Sequence, residues 1–81
     1  MLNRFASRAD FQRLFGDMLR EPSKFYKHPR DILRDRRFKD NAQKLELLEA
    51  WRAKEERAGH LQVVAMIAEA KRELEDLSSG S

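Results

Sequence analysis

The sequence predicts an all-α fold, a small bundle of three to four helices with the third and fourth paired as an antiparallel hairpin. Three observations carry that expectation. Apolar residues recur at three- and four-residue intervals in every long segment. Capping residues and the breakers Pro22, Pro29 and Gly59 punctuate those segments where helices should start and stop. No run of four to eight β-branched residues bounded by turns supports a strand. Residues 1–77 are expected to form one helical domain. Ser78-Ser79-Gly80-Ser81 has no helical pattern and is expected to be a disordered tail, its Gly80-Ser81 resembling an expression-vector remnant.

Ser7 followed by Asp10 is an N-cap signature, and Phe11, Leu14, Phe15, Met18 and Leu19 then follow at helical spacing. Gly16 weakens this first helix by up to about 1 kcal/mol relative to alanine. Pro22 ends it near Arg20, because the residue before a proline is pushed out of the helical region. The linker 22–28 carries the adjacent aromatics Phe25 and Tyr26, which are expected to pin it to the core.

Pro29 suits the first turn of a short second helix, since its missing N–H would have had no intrahelical partner there. That helix, expected over 29–35, turns Ile32 and Leu33 inward, and Phe38 anchors the basic turn that follows. Asp40 followed by Gln43 repeats the capping logic at the positive end of a third helix dipole. Its stripe Leu45, Leu47, Leu48 and Trp51 places Trp51 as a core anchor facing the segment from Ile32 to Phe38, whereas 52–57 is polar. Gly59 then breaks the pattern, and that polar interruption favours a hairpin over one long rod. A fourth helix is expected from His60 or Leu61 to Leu77, with Val63, Ile67, Ala70, Leu74 and Leu77 spaced as a heptad-like seam.

At 81 residues the chain buries about 60–65% of its unfolded surface, a small margin for stability. It has no cysteine, so no disulfide or thiolate metal site can staple it. Tight helix packing or self-association is expected to fill that role, and the seam Val63, Ile67, Ala70, Leu74 and Leu77 is the candidate homodimer surface. The longest apolar run, Val63 to Ala68, is far short of the roughly 20 residues of a membrane span, and the N-terminus has no signal-peptide apolar core. A cytoplasmic protein is expected.

No catalytic constellation is apparent. His28 and His60 lie far apart without carboxylates at ligand-like spacing, which argues against a metal centre; His28 reads as a capping or exposed residue and His60 as a turn residue. The carboxylates sit among Lys and Arg at three- and four-residue separations, as on any solvated helix surface. No phosphate-cradling glycine loop or nucleophile motif occurs. Neither enzymatic activity nor a cofactor is expected.

Charge is the feature that remains. Residues 1–39 hold eleven Lys/Arg against five Asp/Glu, and residues 40–81 hold six against nine, so a net +6 half faces a net −3 half within an overall +3. Lys27, Arg30, Arg34, Arg36, Arg37 and Lys39 form the candidate partner-binding face, with Lys24 beside them. The two halves could attract each other, or the basic half could meet a partner. Helix, basic turn, helix superficially resembles DNA-binding motifs. Against that, Asp31 and Asp35 are expected to neutralise Arg30 or Arg34, and Glu46 and Glu49 would repel phosphates. The first expectation is therefore a non-enzymatic protein-interaction module, self-associating or binding another protein, and nucleic-acid binding is the second.

Pro29, Ile32, Leu33, Asp35, Arg37 and Phe38, followed by Lys44, Leu48 and Trp51, resemble a motif in a family of small, mainly proteobacterial proteins: Pro-x-x-Ile-Leu-x-Asp-x-Arg-Phe, then Lys-x-x-x-Leu-x-x-Trp. The resemblance covers under a third of the chain. This sequence departs from the family pattern in a turn one residue longer before the lysine, and in Arg52-Ala53-Lys54 where relatives carry an acidic residue followed by Asp-Ala. The resemblance implies a helical fold and bacterial origin and carries no activity.

Overall fold

The computed structural model describes residues 8–79, and over them the chain is all-α. Four helices follow one another: α1 (Arg8–Arg20), α2 (Arg30–Arg34), α3 (Asn41–Ala58) and α4 (Leu61–Ser79), with a 3-10 turn over Pro22–Lys24 between α1 and α2. The expected Ser7 cap and the Gly80-Ser81 part of the expected tail lie outside the described residues. Helix α4 runs two residues past the expected end at Leu77.

Each boundary has a local cause. Pro22 stops α1 and then occupies the first position of the 3-10 turn, which closes through hydrogen bonds from the Phe25 and Tyr26 amides to the Pro22 carbonyl (3.0 and 3.1 Å). Pro29 is buried and forms the N-cap of α2, one position earlier than a first-turn residue. The His28 imidazole caps the same end, its Nδ1 accepting from the Arg30 amide at 3.1 Å. At the other end, the Lys44 ammonium of α3 donates to the Leu33 carbonyl at 2.9 Å, supplying the partner that a helix C-terminus lacks. Asp40 caps α3 by accepting from the Gln43 amide at 3.1 Å, while Gln43 Oε1 accepts from the Lys39 amide at 2.8 Å.

The α3–α4 hairpin forms as the polar interruption at 52–57 predicts. Gly59 takes a left-handed φ of 81°, and the Gly59 and His60 amides return to the Glu56 and Glu55 carbonyls, a Schellman termination that favours glycine. Across the hairpin Lys71 pairs with Glu49, and Arg52 bridges Glu49 and Glu56 along α3.

Helix α3 is the central element. It packs α1 and the 3-10 turn on one flank and α4 on the other, α2 lies against α3 and α4, and α1 does not reach α4. The result is a slab measuring 43 × 32 × 16 Å. Its core runs from Phe15 and Met18 of α1 through Tyr26, Ile32, Phe38, Leu47, Leu48 and Trp51 to Ile67, Ala70 and Leu74 of α4. Phe11, Phe15 and Phe38 make a cluster of rings 5.6 to 6.2 Å apart, with Phe38 edge-on to the other two. Trp51 is buried in the same core as Ile32 and Phe38 and donates its indole N–H to Glu55 at 3.0 Å.

Two expectations change here. Tyr26 pins the linker to the core, whereas its neighbour Phe25 is 39% exposed, because the 3-10 turn directs successive side chains to different sides. The seam assigned to a homodimer is largely used inside the fold: Ile67, Ala70 and Leu74 are buried, Val63 is half-buried against the same core, and Leu77 is exposed. The three buried side chains cannot form a second helix-helix interface without opening the first.

Candidate partner-binding surface

The basic segment is built around one carboxylate. Asp35 ends α2 in an extended conformation and its side chain turns back, with Oδ1 accepting from the Arg37 amide at 3.0 Å. The Arg37 guanidinium grips it through Nε (3.1 Å to Oδ1) and Nη2 (2.7 Å to Oδ2), and Tyr26 donates its hydroxyl to Oδ2 at 2.7 Å. The same hydroxyl lies 3.8 Å from Met18 Sδ in the core. The guanidinium holds the Asp35 carboxyl well below the usual carboxylate range, against the opposing effect of burial. Burial, and then the bond to Asp35, pushes the Tyr26 phenol well above its ordinary value. The carboxylate in turn raises the Arg37 guanidinium. This triad fixes the turn that leads from α2 through Phe38 to α3.

The six cations of the candidate face therefore divide. Arg37 is consumed by Asp35. Arg30 reaches Glu73 of α4 at 3.7 Å, with both side chains about half exposed. Lys27, Arg34, Arg36 and Lys39 are exposed and make no ion pair with a described residue. Asp35 thus pairs with Arg37, and the expected local neutralisation of Arg30 or Arg34 by Asp31 or Asp35 is absent among the described residues, because Arg30 turns to α4 and Asp35 turns inward. Beside this face, Lys24 pairs with Glu21 at 3.0 Å.

The two halves of the chain barely neutralise each other. Arg30–Glu73 is the one ion pair among the described residues that joins the basic half to the acidic half. Glu49 is held by Lys71 and Arg52, and Glu55 by His60 and the Trp51 indole, so both carboxyls sit below their ordinary range, chiefly through the hydrogen bonds from Lys71 and His60 respectively. Asp40 is committed to its cap. Among the acids expected to offset the basic face, Asp31 and Glu46 remain exposed without an ion pair to a described residue.

A shallow groove of about 760 Å³ lies beyond the basic segment, where the end of α1 and the 3-10 turn meet α3. Leu19 and Phe25 supply its apolar lining, and Lys54 reaches it from α3. Charge counting did not find this groove, because its apolar lining depends on the outward turn of Phe25, which periodicity cannot assign within a loop.

Among the described residues no group of three or more His, Asp or Glu could hold a metal ion, and no helix is long and apolar enough to cross a membrane. The motif residues Pro29, Ile32, Asp35, Arg37, Phe38, Lys44, Leu48 and Trp51 are caps, core side chains or members of the Asp35 triad. No family model matches the chain, and neither a curated protein nor a solved structure is similar to it.

Proposed function

We propose that this chain is a non-enzymatic helical module that binds an acidic protein surface through its basic segment, with Lys27, Arg34, Arg36 and Lys39 making the contact. The observation that carries this reading is the split among neighbouring cations. Arg37 and Arg30 have carboxylate partners, while these four project from α2 and its flanking turns with none among the described residues. Cations left at the surface raise the association rate of an oppositely charged partner and select against a like-charged one. The rigid Asp35 triad and the capped ends of α2 present them from a fixed backbone, which lowers the ordering cost of binding.

The direct test is affinity capture from the host with the native chain beside an Arg34→Glu/Arg36→Glu/Lys39→Glu variant, each with and without nuclease. A protein retained by the native chain after nuclease treatment and lost by the variant is the expected outcome. Equal retention by both overturns the assignment.

Nucleic-acid binding is the second reading, and one observation favours it. Asp35, Asp40 and Glu49 are occupied by their own partners, so they compete less for the free cations than their proximity in sequence suggests. Recovery of nucleic acid alone, with an affinity falling at a log-log salt slope near −0.9 for each phosphate neutralised, selects it.

A further inference from the structure

Phe25 is one of three large apolar side chains exposed among the described residues, and the other two, Leu61 and Leu77, lie on α4. It stands in the groove with half-buried Leu19 behind it. The groove rim carries five charges, four of which are matched within it: Arg20 pairs with Asp17 and Lys24 with Glu21. Lys54 is left as the lining charge with no ion pair to a described residue. Phe25 also precedes Lys27 by two positions, so the chain runs directly from the groove into the basic segment.

We propose that the groove is the anchor site for the acidic partner of the preceding section: a peptide segment that seats one large apolar side chain on Leu19 and Phe25, sets a carboxylate on Lys54, and carries further carboxylates towards Lys27. The proposal rests on the reading of the basic segment. Charge complementarity selects the occupant. A rim with a single unmatched cation suits one carboxylate beside a large apolar side chain, a pair that a peptide supplies within one short segment and a phosphodiester backbone does not. The apolar contact supplies what exposed ion pairs do not, since binding energy concentrates in desolvated apolar anchors ringed by polar residues.

The test uses the full chain and a fluorescein-labelled octapeptide, Glu-Glu-Glu-Leu-Phe-Glu-Glu-Glu, read by fluorescence anisotropy. The same peptide with Ser-Ser replacing Leu-Phe, and an oligothymidylate of equal length, are the comparison probes. The Leu-Phe peptide is expected to bind at least about tenfold more tightly than the Ser-Ser peptide, the margin of a modest anchor residue. Phe25→Ser is expected to erase that margin and Lys54→Glu to weaken both peptides, with unchanged far-UV circular dichroism showing that both variants fold. Arg34→Glu/Arg36→Glu is expected to weaken both peptides while leaving their ratio intact. Equal binding of the two peptides, or a margin that survives Phe25→Ser, overturns the anchor site and leaves the basic segment standing if the charge reversal still weakens binding. Failure of both peptides to bind, or tighter binding of oligothymidylate, overturns the anchor site together with the reading it rests on.

Discussion

Replacing Asp35 with alanine removes the acceptor on which the Tyr26 hydroxyl, the Arg37 side chain and the Arg37 amide converge. The largest loss falls on Tyr26, whose residue is buried and whose hydroxyl, with the Arg37 guanidinium beside it, keeps only Met18 Sδ at 3.8 Å as an acceptor. Leaving a buried hydroxyl unsatisfied costs about 1–3 kcal/mol. The Arg37 contribution is discounted to about 0.5–1 kcal/mol, because the Arg37 side chain is 53% exposed and solvent screens it. With the lost turn bond, Asp35→Ala should destabilise by about 2–4 kcal/mol. A chain of this size has about 4–12 kcal/mol in total, so the loss is a large fraction of the stability and reads as a clear shift of the unfolding midpoint.

Urea unfolding is the assay, followed by the fluorescence of Trp51, the only tryptophan, and in parallel by far-UV circular dichroism. A cycle with Tyr26→Phe isolates the buried bond. In the Tyr26→Phe background, loss of Asp35 should cost about 1–2 kcal/mol less than in the native chain. The pH dependence has a definite sign. The folded carboxyl is depressed below its ordinary value, so Asp35 contributes stability that is complete above the unfolded pKa and is lost as pH falls through the folded one. The native chain should therefore lose stability on acidification below about pH 5, and Asp35→Ala should lose less. A cost under about 1 kcal/mol, or a coupling of zero with Tyr26→Phe, would refute the view that Asp35 holds the α2–α3 turn together.

Two further outcomes test the core and the helices. Trp51→Ala, at the centre of α3 with 2% exposure, should cost about 3–5 kcal/mol in thermal unfolding, and a loss below about 1 kcal/mol would remove Trp51 from the core. Gly16→Ala should raise stability by about 0.5–1 kcal/mol, since Gly16 is mid-helix and an added Cβ meets nothing within 4 Å; a lowered melting temperature would show a packing role that the open space contradicts.

The helices were legible because their signals are local. Asp40 and Gln43 cap α3, Gly59 ends it with a positive φ, and Pro22 stops α1, each through a rule that spans four residues or fewer. Ile32, Leu48 and Trp51 were legible as core from their spacing, and Phe38 as the apolar residue of a basic turn. The role of Lys44 was not, because its acceptor is a carbonyl eleven positions away, and no periodicity encodes that distance. The seam on α4 was visible, but its partner was not. A heptad-like spacing states that one face is apolar, and only the position of α3 decides that Ile67, Ala70 and Leu74 meet the same molecule.

The same distinction governs the charged residues, and it explains why function was the least legible property. Arg36 and Arg37 are adjacent and chemically identical, so a charge count along the basic segment weighs them equally. In the folded chain Arg37 closes on Asp35 and becomes part of the architecture, while Arg36 is left at the surface without an ion pair to a described residue. Lys44 and Lys39 divide the same way, one capping α2 through the Leu33 carbonyl and the other exposed. The α2–α3 turn is held by side chains, through Asp35, Arg37, Tyr26 and Lys44, so there the residues that form recognisable patterns are those the fold consumes. What remains for a partner is the remainder of that internal pairing, a property of the three-dimensional arrangement with no signature of its own in the order of residues.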